Sequence, residues 1–555
     1  MRIPLVVCGW ALALASLVCV FAPESVDADD PPGVHTGAVG LANAAKRGRS
    51  IYHRGEGAGP PVRLVLSSSD LELPATSFPC SNCHGSNGEG TVEGGVAPPA
   101  IRWRDLLAPA RSPLTNRARI AYDRTSLGRA ITDGVDPSGA PLHPGMPRYQ
   151  LSNTQLDELI AYLEVIDTEY DLDPGITPDS IRLGCFLPFE GERGSGGDAV
   201  RRALDAFFLD LAESGGVYGR RIEVVYAESG TDDTSVTLAA RQLIEEEEVF
   251  ALIGSFVPMD APLFLAYLEQ ARVPLIGPLT IPPRPKLPPD RYVFHLLSGH
   301  YDQARVLVEF AATSPELPKT GYSIVWLDDG VHREARDGVL DQITAFGGAL
   351  VAEISYPGGS FDPESTLATL LAAKTEAVFM FGAQPDLIAL AEAWSVAGID
   401  WPLLTNGSTI GRAAFELPDA VAARTFLTYP SAQPTRKQLD WVLTLARDRE
   451  LRVDHPTQQG PALAAAKIFV EGVKRTGLRL SREAWIDAME RLQFFETGLV
   501  PPVSFGLNQR TGALGAFMMR IDPAANSFVP FTPWITPRDP KQVGVRVPVQ
   551  TPEKP

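Results

Sequence analysis

The segment Phe250-Ala251-Leu252-Ile253-Gly254-Ser255 is a short uncharged run that ends in a glycine turn. The segment Val273-Pro274-Leu275-Ile276-Gly277-Pro278 repeats this pattern after a helical stretch. Apolar runs of this length, bounded by turn residues, are typical of strands buried in a parallel sheet. A helix between two such strands indicates a right-handed βαβ unit. This part of the chain is therefore predicted to have an α/β fold.

The same alternation extends in both directions from these two segments. The predicted strands are Ile181–Phe186, Ile222–Glu228, Phe250–Ile253, Val273–Ile276, Tyr322–Leu327, Ala349–Ser355, Ala377–Phe381 and Pro402–Thr405. The helices predicted between the first four are Asp198–Ser214, Thr234–Glu246 and Ala261–Ala271. Because the α/β series restarts near residue 322, we predict two lobes, each built around its own sheet.

Composition places the chain among globular proteins and argues against nucleic acid as a partner. Its 555 residues predict about three or four folding units. Hydrophobic residues make up 45% and charged residues 21%, which is ordinary for folded domains. The formal net charge of −18 repels a phosphate backbone.

The first 28 residues have the pattern of a signal peptide. Met1-Arg2 is followed by an almost uncharged run from Ile3 to Pro23, and Val26-Asp27-Ala28 fits a small-x-small cleavage site. Cleavage there would leave a soluble periplasmic protein, whereas an uncleaved leader would tether it to the membrane. Residues 29–38 are expected to form a flexible lead.

The segment Cys80-Ser81-Asn82-Cys83-His84 is a C-x-x-C-H motif, the attachment signature of c-type haem. Two thiols three residues apart on a helical turn can each bond a vinyl group, while the following imidazole faces the iron. A zinc site would need further ligands, and no second cysteine pair exists. A thioredoxin-like redox pair is expected beside a βαβ unit rather than in this Gly- and Pro-rich sequence. The motif therefore predicts one covalent haem c.

The second axial ligand must come from a residue that reaches the other face of the haem. Met146 is the only methionine between Met1 and Met259, and it lies in the stiff loop His143-Pro-Gly-Met-Pro-Arg-Tyr149. His143 is the competing ligand. With both axial positions filled, the iron has no open site for chemistry, so we expect an electron carrier rather than an enzyme.

Residues 39–170 resemble the class I cytochrome c family, an all-α fold. The resemblance rests on a first helix over Leu41–Arg54 with Gly48 and Tyr52, the haem motif, the Gly-Met-Pro-x-Tyr loop and a last helix over Leu151–Ile166. Ser152 and Gln155 predict a capping box at the start of that last helix. The resemblance implies His84 as the proximal and Met146 as the distal ligand.

Residues 180–535 resemble the type 1 periplasmic binding proteins of the leucine-binding kind, after a linker over 171–179. The ordered motifs are Gly215-Gly-Val-Tyr-Gly-Arg-Arg-Ile222, Leu243-Ile244, Phe250–Ser255, Val273–Pro278, Phe379-Met-Phe-Gly382 and Phe505-Gly-Leu-Asn-Gln-Arg-Thr-Gly512. The resemblance implies two hinged lobes that close over a ligand. Lobe 1 is expected at about 180–298 and 428–500, and lobe 2 at about 299–427 and 501–535. A proline-rich tail is expected over 536–555.

The loops that follow the strands are the expected ligand cleft, because they present free N–H groups. These loops and the resemblance together give ten candidate ligand-binding residues: Ser255, Pro258, Leu279, Thr280, Ile281, Asp329, Gly330, Ala383, Gln384 and Asn406. The family pattern has a hydroxyl residue where Pro258 falls, an aromatic residue near Ala383–Gln384, and near Asn406 an acid that holds the ligand's ammonium group. Without that acid a buried ammonium is costly, so we expect a ligand that lacks one, unless Asp260, Asp328 or Asp329 replaces it.

The two resemblances together predict an exported solute-binding protein that carries a haem. A small organic solute is its expected ligand, and an ABC permease or an exported dehydrogenase its expected protein partner. In the alternative, the protein is an electron-transfer partner or sensor for an exported dehydrogenase, and the lobes dock that enzyme or sense its substrate. Gly194-Ser-Gly-Gly197 lacks the Lys-Ser/Thr of a phosphate-binding loop and is interpreted as a flexible loop. Cys185, in the first strand, is expected to be buried.

Overall fold

The computed structural model describes residues 43–66, 71–91, 97–111, 117–168, 170–431 and 436–538. The predicted signal peptide, the predicted lead and residues 539–555 of the predicted tail lie outside these ranges. Within them, no helix combines the length and the apolar character needed to cross a bilayer.

The first domain is mainly helical and has a small sheet. Its helices are α1 (Asn43–Arg54), α2 (Cys80–His84), α3 (Trp103–Leu106), α4 (Arg124–Thr132) and α5 (Asn153–Val165). Its strands are β1 (Arg63–Val65), β2 (Glu72–Pro74), β3 (Ala110–Arg111), β4 (Ala118–Arg119) and β5 (Arg148–Gln150). Strands β2, β1 and β5 form an antiparallel sheet that sequence periodicity did not predict, because each strand has only three residues.

Helices α1 and α5 pack directly against each other. Gly48 of α1 lies so close to the Glu158 carbonyl of α5 that a Cβ there would overlap it. The predicted capping box at the start of α5 is present, because Ser152 accepts from the Gln155 N–H and Gln155 accepts from the Ser152 N–H. Ile51, Tyr52, Leu159 and Tyr162 are buried in the core that this pair forms.

The second domain begins with alternating strands and helices. Its first strands are β6 (Ser180–Leu187), β7 (Arg221–Glu228), β8 (Ala251–Ile253), β9 (Leu275–Ile276) and β10 (Val293–Leu297). The helices between them are α6 (Gly194–Glu213), α7 (Asp233–Arg241), which continues as a π-helical turn over Gln242–Glu246, and α8 (Pro262–Ala271).

A second α/β series follows. It contains the helices α9 (His300–Thr313), α10 (Gly330–Ala345), α11 (Pro363–Ala372), α12 (Gln384–Val396), α13 (Gly407–Ile410) and α14 (Asp419–Ala422). Its strands are β11 (Tyr322–Leu327), β12 (Ala352–Tyr356), β13 (Ala377–Phe381), β14 (Leu403–Asn406) and β15 (Thr425–Tyr429). The chain then continues through α15 (Arg436–Asp448), α16 (Pro456–Thr476), α17 (Arg482–Met489), β16 (Thr511–Ala513), β17 (Phe517–Asp522) and β18 (Ser527–Pro530).

These strands form two sheets, which define the two lobes. The lobe 1 sheet is parallel, in the order β16-β10-β9-β8-β6-β7. The lobe 2 sheet has the order β12-β11-β13-β14-β15-β17-β18, and its pairings are parallel except that β17 runs antiparallel to both β15 and β18. Strand β16 pairs with β10, so the prediction that lobe 2 contains all of 501–535 is wrong for Thr511–Ala513. This pairing joins residues more than 200 positions apart, which local sequence patterns do not reveal.

The segment Gly194–Gly197 is not a flexible loop but the first turn of α6. The predicted loop is wrong because its glycines serve close packing rather than flexibility. A Cβ at Gly197 would overlap the Pro188 carbonyl, and one at Gly196 would overlap the side-chain oxygen of Gln458. Cys185 is fully buried in β6, as predicted.

The connection between the two domains is held by buried charges. Arg49 of α1 lies 2.5 Å from Asp173 and 3.7 Å from Asp171, and it donates to the Leu172 carbonyl at 3.1 Å. Asp173 in turn accepts from the backbone N–H of Arg482, the first residue of α17. Burial alone would raise the pKa of Asp173, but Arg49 and Arg482 hold it below its usual value. The predicted linker is therefore an anchored segment.

Candidate functional site

The C-x-x-C-H motif forms one short helix. Helix α2 spans the motif and ends at Gly85, whose positive φ of 77° suits a residue without a side chain. Cys80 is half-buried and Cys83 is exposed, and neither is in a disulfide. Burial raises the pKa of the Cys80 thiol to about 11. A redox-active thiol needs a lowered pKa, so this environment does not suit the thioredoxin-like alternative.

His84 is held in one orientation. Its ring is buried, and its Nδ1 lies 2.9 Å from the Pro99 carbonyl oxygen, to which it donates as the neutral tautomer. Burial lowers the pKa of His84, which favours this neutral form. Nδ1 is therefore occupied, and Nε2 is left as the nitrogen that can bind a metal. Tyr52 donates to the Gly85 carbonyl at 2.7 Å and so fixes the end of the same helix.

The loop before α5 contains both candidates for the second axial position. Met146 is half-buried and packs against the core of the first domain, whereas His143 is exposed. The Met146 N–H donates to the His143 carbonyl at 2.9 Å, and the His143 Nδ1 accepts from the Gly145 N–H at 3.1 Å. At the end of the loop, the Tyr149 hydroxyl donates to the Phe78 carbonyl at 2.6 Å, which connects the loop to the segment before Cys80.

These residues fit a c-type haem. Two free thiols, a histidine with one oriented nitrogen and a thioether are the donor set that such a group uses. Across the described parts of the chain, no three His, Cys, Asp or Glu side chains cluster as a site for a bare metal ion. A haem iron does not require such a cluster, because the porphyrin supplies four of its ligands.

Lobe 1 contains a cavity of about 640 Å³ at the carboxyl edge of its sheet. Its walls come from the loops after β6, β8 and β9, from β10 and from the first turns of α6 and α16. Most of the lining is apolar, including Leu187, Val200, Phe256, Val257, Leu296 and Leu297. An apolar concavity with a few polar groups is typical of a small-molecule site.

Four of the ten candidate residues line this cavity, namely Pro258, Leu279, Thr280 and Ile281. The structure differs from the prediction for Ser255, which is fully buried and outside the lining. Its Oγ accepts from the Phe186 N–H at 3.2 Å, and its carbonyl accepts from the Leu279 N–H at 2.8 Å. Ser255 therefore joins neighbouring segments of the sheet edge.

The lobe 2 candidates lie at the starts of helices and are not part of the cavity lining. They are Asp329 and Gly330 at α10, Ala383 and Gln384 at α12, and Asn406 at α13. Asn406 is fully buried, and its Oδ1 accepts from the Thr428 hydroxyl at 3.0 Å. The Asn406 Nδ2 is buried without a hydrogen-bond partner within the described residues. An amide nitrogen is a donor, so this position offers a hydrogen bond to an acceptor.

The three acids considered as ammonium partners are not in the cavity lining. Both carboxylate oxygens of Asp329 lie 2.9 Å from the His332 Nδ1. Asp328 pairs with Arg333 at 2.6 Å. Asp260 is exposed and, unlike its neighbour Met259, does not line the cavity.

Two residues in the cavity wall were missed by the sequence analysis. Arg193 precedes α6, and His295 lies in β10. The position of Arg193 in the connection between the first strand and α6 was a signal that could have identified it, because such loops lie at the carboxyl edge of the sheet. His295 gave no comparable signal, since a histidine in an apolar strand is usually a packing residue.

Comparison with known families agrees with both halves of this description. Residues 180–526, more than half of the chain, match the family described as periplasmic binding protein. The chain belongs to that family. Residues 75–166 of this binding protein match the family described as cytochrome c. The two resemblances stated from sequence are thereby confirmed.

The curated relatives of the binding protein are distant. The "Leu/Ile/Val-binding protein homolog 7" of Brucella abortus (strain 2308) is 24% identical over 235 residues, which are 41% of this chain and 59% of that relative. The homologue from Brucella suis biovar 1 is also 24% identical, over 40% of this chain and 58% of its own length. The binding protein thus spans about three-fifths of the length of these relatives.

Solved structures share the fold of the binding protein. A fatty acid ABC transporter substrate-binding protein from Thermomonospora curvata aligns with a TM-score of 0.51 and 18% identity, over 67% of this chain and 96% of its own. A solute-binding protein of R. palustris in complex with 4-hydroxybenzoate aligns with a TM-score of 0.50 and 16% identity, over 65% and 98%. Likeness at this level of identity establishes the two-lobed fold.

Proposed function

We propose that this protein is a periplasmic solute-binding protein that carries one covalent haem c and transfers single electrons. The observation that supports the haem is the α2 turn, in which two free thiols precede a histidine whose Nδ1 is held by the Pro99 carbonyl. The proposal makes the protein a binder and an electron carrier, located in the periplasm. An ABC permease or an exported redox enzyme would be its partner.

The residues of the first domain have distinct roles in this proposal. Cys80 and Cys83 would attach the haem through thioether bonds, and His84 and Met146 would be the axial ligands. The haem would supply one-electron transfer, and methionine–histidine ligation raises its reduction potential. The Pro99 carbonyl orients His84, and the Tyr52 and Tyr149 hydroxyls hold the backbone on either side of the motif.

Mass spectrometry of the protein purified from a host that matures c-type cytochromes tests the haem. The intact wild-type chain should carry a covalent haem adduct, and the variant with Cys80→Ala and Cys83→Ala should lack both the adduct and the visible spectrum. Cys185→Ala is the matched control, because that thiol is fully buried in the second domain. An unmodified wild-type chain from such a host would refute the haem assignment.

The second domain is proposed to bind a small solute without an ammonium group. The lobe 1 cavity has no acid in its lining, and Asp328 and Asp329 of lobe 2 are engaged by Arg333 and His332. Calorimetric titration with leucine, isoleucine and valine tests this, and micromolar binding of any of them would contradict it. If no member of a broad panel of acids, amides, alcohols, amines and sugars raises the melting temperature, the solute-binding proposal itself fails.

The anchored connection favours one alternative role, in which the lobes sense a solute for an exported dehydrogenase. Arg49 and Arg482 fix the segment between the domains from both sides, so the haem domain and lobe 1 would move together. Potentiometric titration with and without a bound solute separates the two roles. A potential that changes with solute supports sensing, and an unchanged one supports independent functions.

A further inference from the structure

The lobe 1 cavity carries positive charge that no acid in its wall balances. Of its lining side chains, Arg193 alone is a strong base, and the same lining contains no Asp or Glu. Among the described residues Arg193 forms no ion pair. Its guanidinium carbon lies 5.1 Å from the centre of the Phe256 ring, also a wall residue. Contact with the ring face leaves the N–H groups at the guanidinium edge free to donate.

Two long helices begin at the same wall. Helix α6 has 20 residues and helix α16 has 21, and neither has a side chain that caps its first N–H groups. Gly196 and Gly197 of α6 and Thr457 and Gln458 of α16 are in the cavity lining. The first turn of a helix carries partial positive charge, so both helices add to the charge of Arg193.

A neutral polar group lies elsewhere in the lining. His295 lines the cavity, and its Nδ1 has no hydrogen-bond partner within the described residues. Burial lowers the pKa of His295 to about 4, so the imidazole is neutral near pH 7. The His295 ring therefore does not repel a cation. The preference of the cavity for a negatively charged ligand comes from Arg193 and the N-terminal ends of the two helices.

We infer that this cavity binds an organic monocarboxylate with an apolar body, and that Arg193 anchors the carboxylate. The inference rests on the proposed solute-binding function and narrows it to one ligand class. A planar guanidinium accepts a carboxylate through two parallel hydrogen bonds, and the apolar walls accept the rest of the molecule. A zwitterionic amino acid would place an ammonium group in a site that has no acid and an excess of positive charge.

Calorimetric titration with benzoate and hexanoate, beside the neutral isosteres benzamide and hexanamide, tests the ligand class on the full-length haem protein. At least one carboxylate should bind about tenfold or more tightly than its amide. Arg193→Gln should weaken carboxylate binding by about tenfold or more and leave amide binding unchanged, because a hydrogen bond to a charged group is lost.

Arg201→Gln is the matched control, since it removes the same charge from α6, the helix that Arg193 directly precedes. Arg201 also lies over an aromatic ring, at 5.7 Å from that of Phe189, but it is outside the cavity lining. It should leave carboxylate binding unchanged, and both variants should keep the melting temperature of the ligand-free protein. Failure of both carboxylates to bind, or equal binding to Arg193→Gln, overturns the inference. Binding of another solute in either case leaves the solute-binding function standing.

Discussion

At the scale of single residues, the first domain uses hydrogen bonds and core packing to orient the side chains that we propose as haem ligands. The Pro99 carbonyl selects the tautomer and ring orientation of His84, and the core of the domain holds the side chain of Met146. His143 is exposed in the same loop and shares one ring nitrogen with the Gly145 N–H. These environments favour Met146 as the axial ligand.

Met146→Ala should open one axial position of the haem. We expect the reduced variant to bind carbon monoxide and its potential to fall, because the thioether that favours the reduced iron is lost. Visible spectroscopy under carbon monoxide measures the first effect and potentiometry the second. His143→Ala, the control in the same loop, should behave like the wild type, and the reverse pattern would assign the ligand to His143.

Buried histidines make the stability of the protein depend on pH. Burial lowers the pKa of His53 to about 3 and that of His300 to about 4, against an ordinary value of 6.5. The unfolded chain therefore takes up these protons first, and stability is lost as pH falls from about 6.5 towards 4. Each unit by which a pKa is lowered is worth about 1.4 kcal/mol.

Burial raises the pKa of Asp171 and Asp302, so these acids make the stability rise as the pH falls, which opposes the effect of the histidines. Both acids are also present in His300→Gln, so the difference between wild type and this variant isolates the contribution of His300. Urea unfolding at several pH values between 4.5 and 7.5 gives both stability curves. The wild type should lose more stability than the variant as the pH falls. Parallel curves would show that His300 does not titrate differently in the folded state.

At the scale of elements, helix contacts depend on small residues at particular positions. Gly48 brings α1 against the Glu158 carbonyl of α5, and Gly196 brings the first turn of α6 against Gln458 of α16. The first contact lies beside the core of the first domain, and the second forms part of the wall of the lobe 1 cavity. A methyl group at Gly48 would separate two helices, because the atom it meets belongs to the backbone, whereas one at Gly196 would displace the Gln458 side chain.

Gly48→Ala should destabilise the first domain by roughly 1–3 kcal/mol, because the added Cβ overlaps a backbone carbonyl that cannot rotate away. Calorimetry of the haem-loaded protein measures the loss. Gly460→Ala in α16 is the control, since a Cβ there meets nothing within 4 Å. That substitution should be neutral or slightly stabilising, as alanine favours the helix by about 0.5–1 kcal/mol. Equal effects of the two changes would show that α1 and α5 are not closely packed.

At the scale of the whole molecule, the two domains are joined through a buried set of charges. Arg49, Asp171 and Asp173 have side chains that are at most 18% exposed. The guanidinium of Arg482 completes the set by donating to the Phe250 and Val249 carbonyls of lobe 1, at 2.9 and 2.7 Å. A charge removed here leaves its partner buried and unpaired, which is costly.

Arg49→Met should uncouple the two domains. Breaking a buried ion pair costs about 3–5 kcal/mol, so we expect one calorimetric transition to split into two. Lys46→Met is the control on the same helix, because its pair with Glu248 at 2.8 Å is exposed and worth about 1 kcal/mol or less. A single transition in Arg49→Met at the wild-type melting temperature would show that the Arg49 ion pair does not couple the two domains.

Features that depend on neighbouring residues could be predicted from the sequence. These include the C-x-x-C-H turn, the capping box of Ser152 and Gln155, and the α/β alternation of the second domain. Each is encoded within a few positions, where residue spacing and helical or strand periodicity are sufficient.

Features that join distant parts of the chain depended on the complete fold. It paired β16 with β10, buried Asn406 and Ser255, and placed Arg193 in one wall with His295 and Gln458. It also turned the predicted linker into a buried joint, since Arg49 and Arg482 contact Asp173 from opposite ends of the sequence. Burial, charge pairing and cavity shape depend on which segments contact each other in the folded protein, and local sequence propensity does not determine contacts between distant segments.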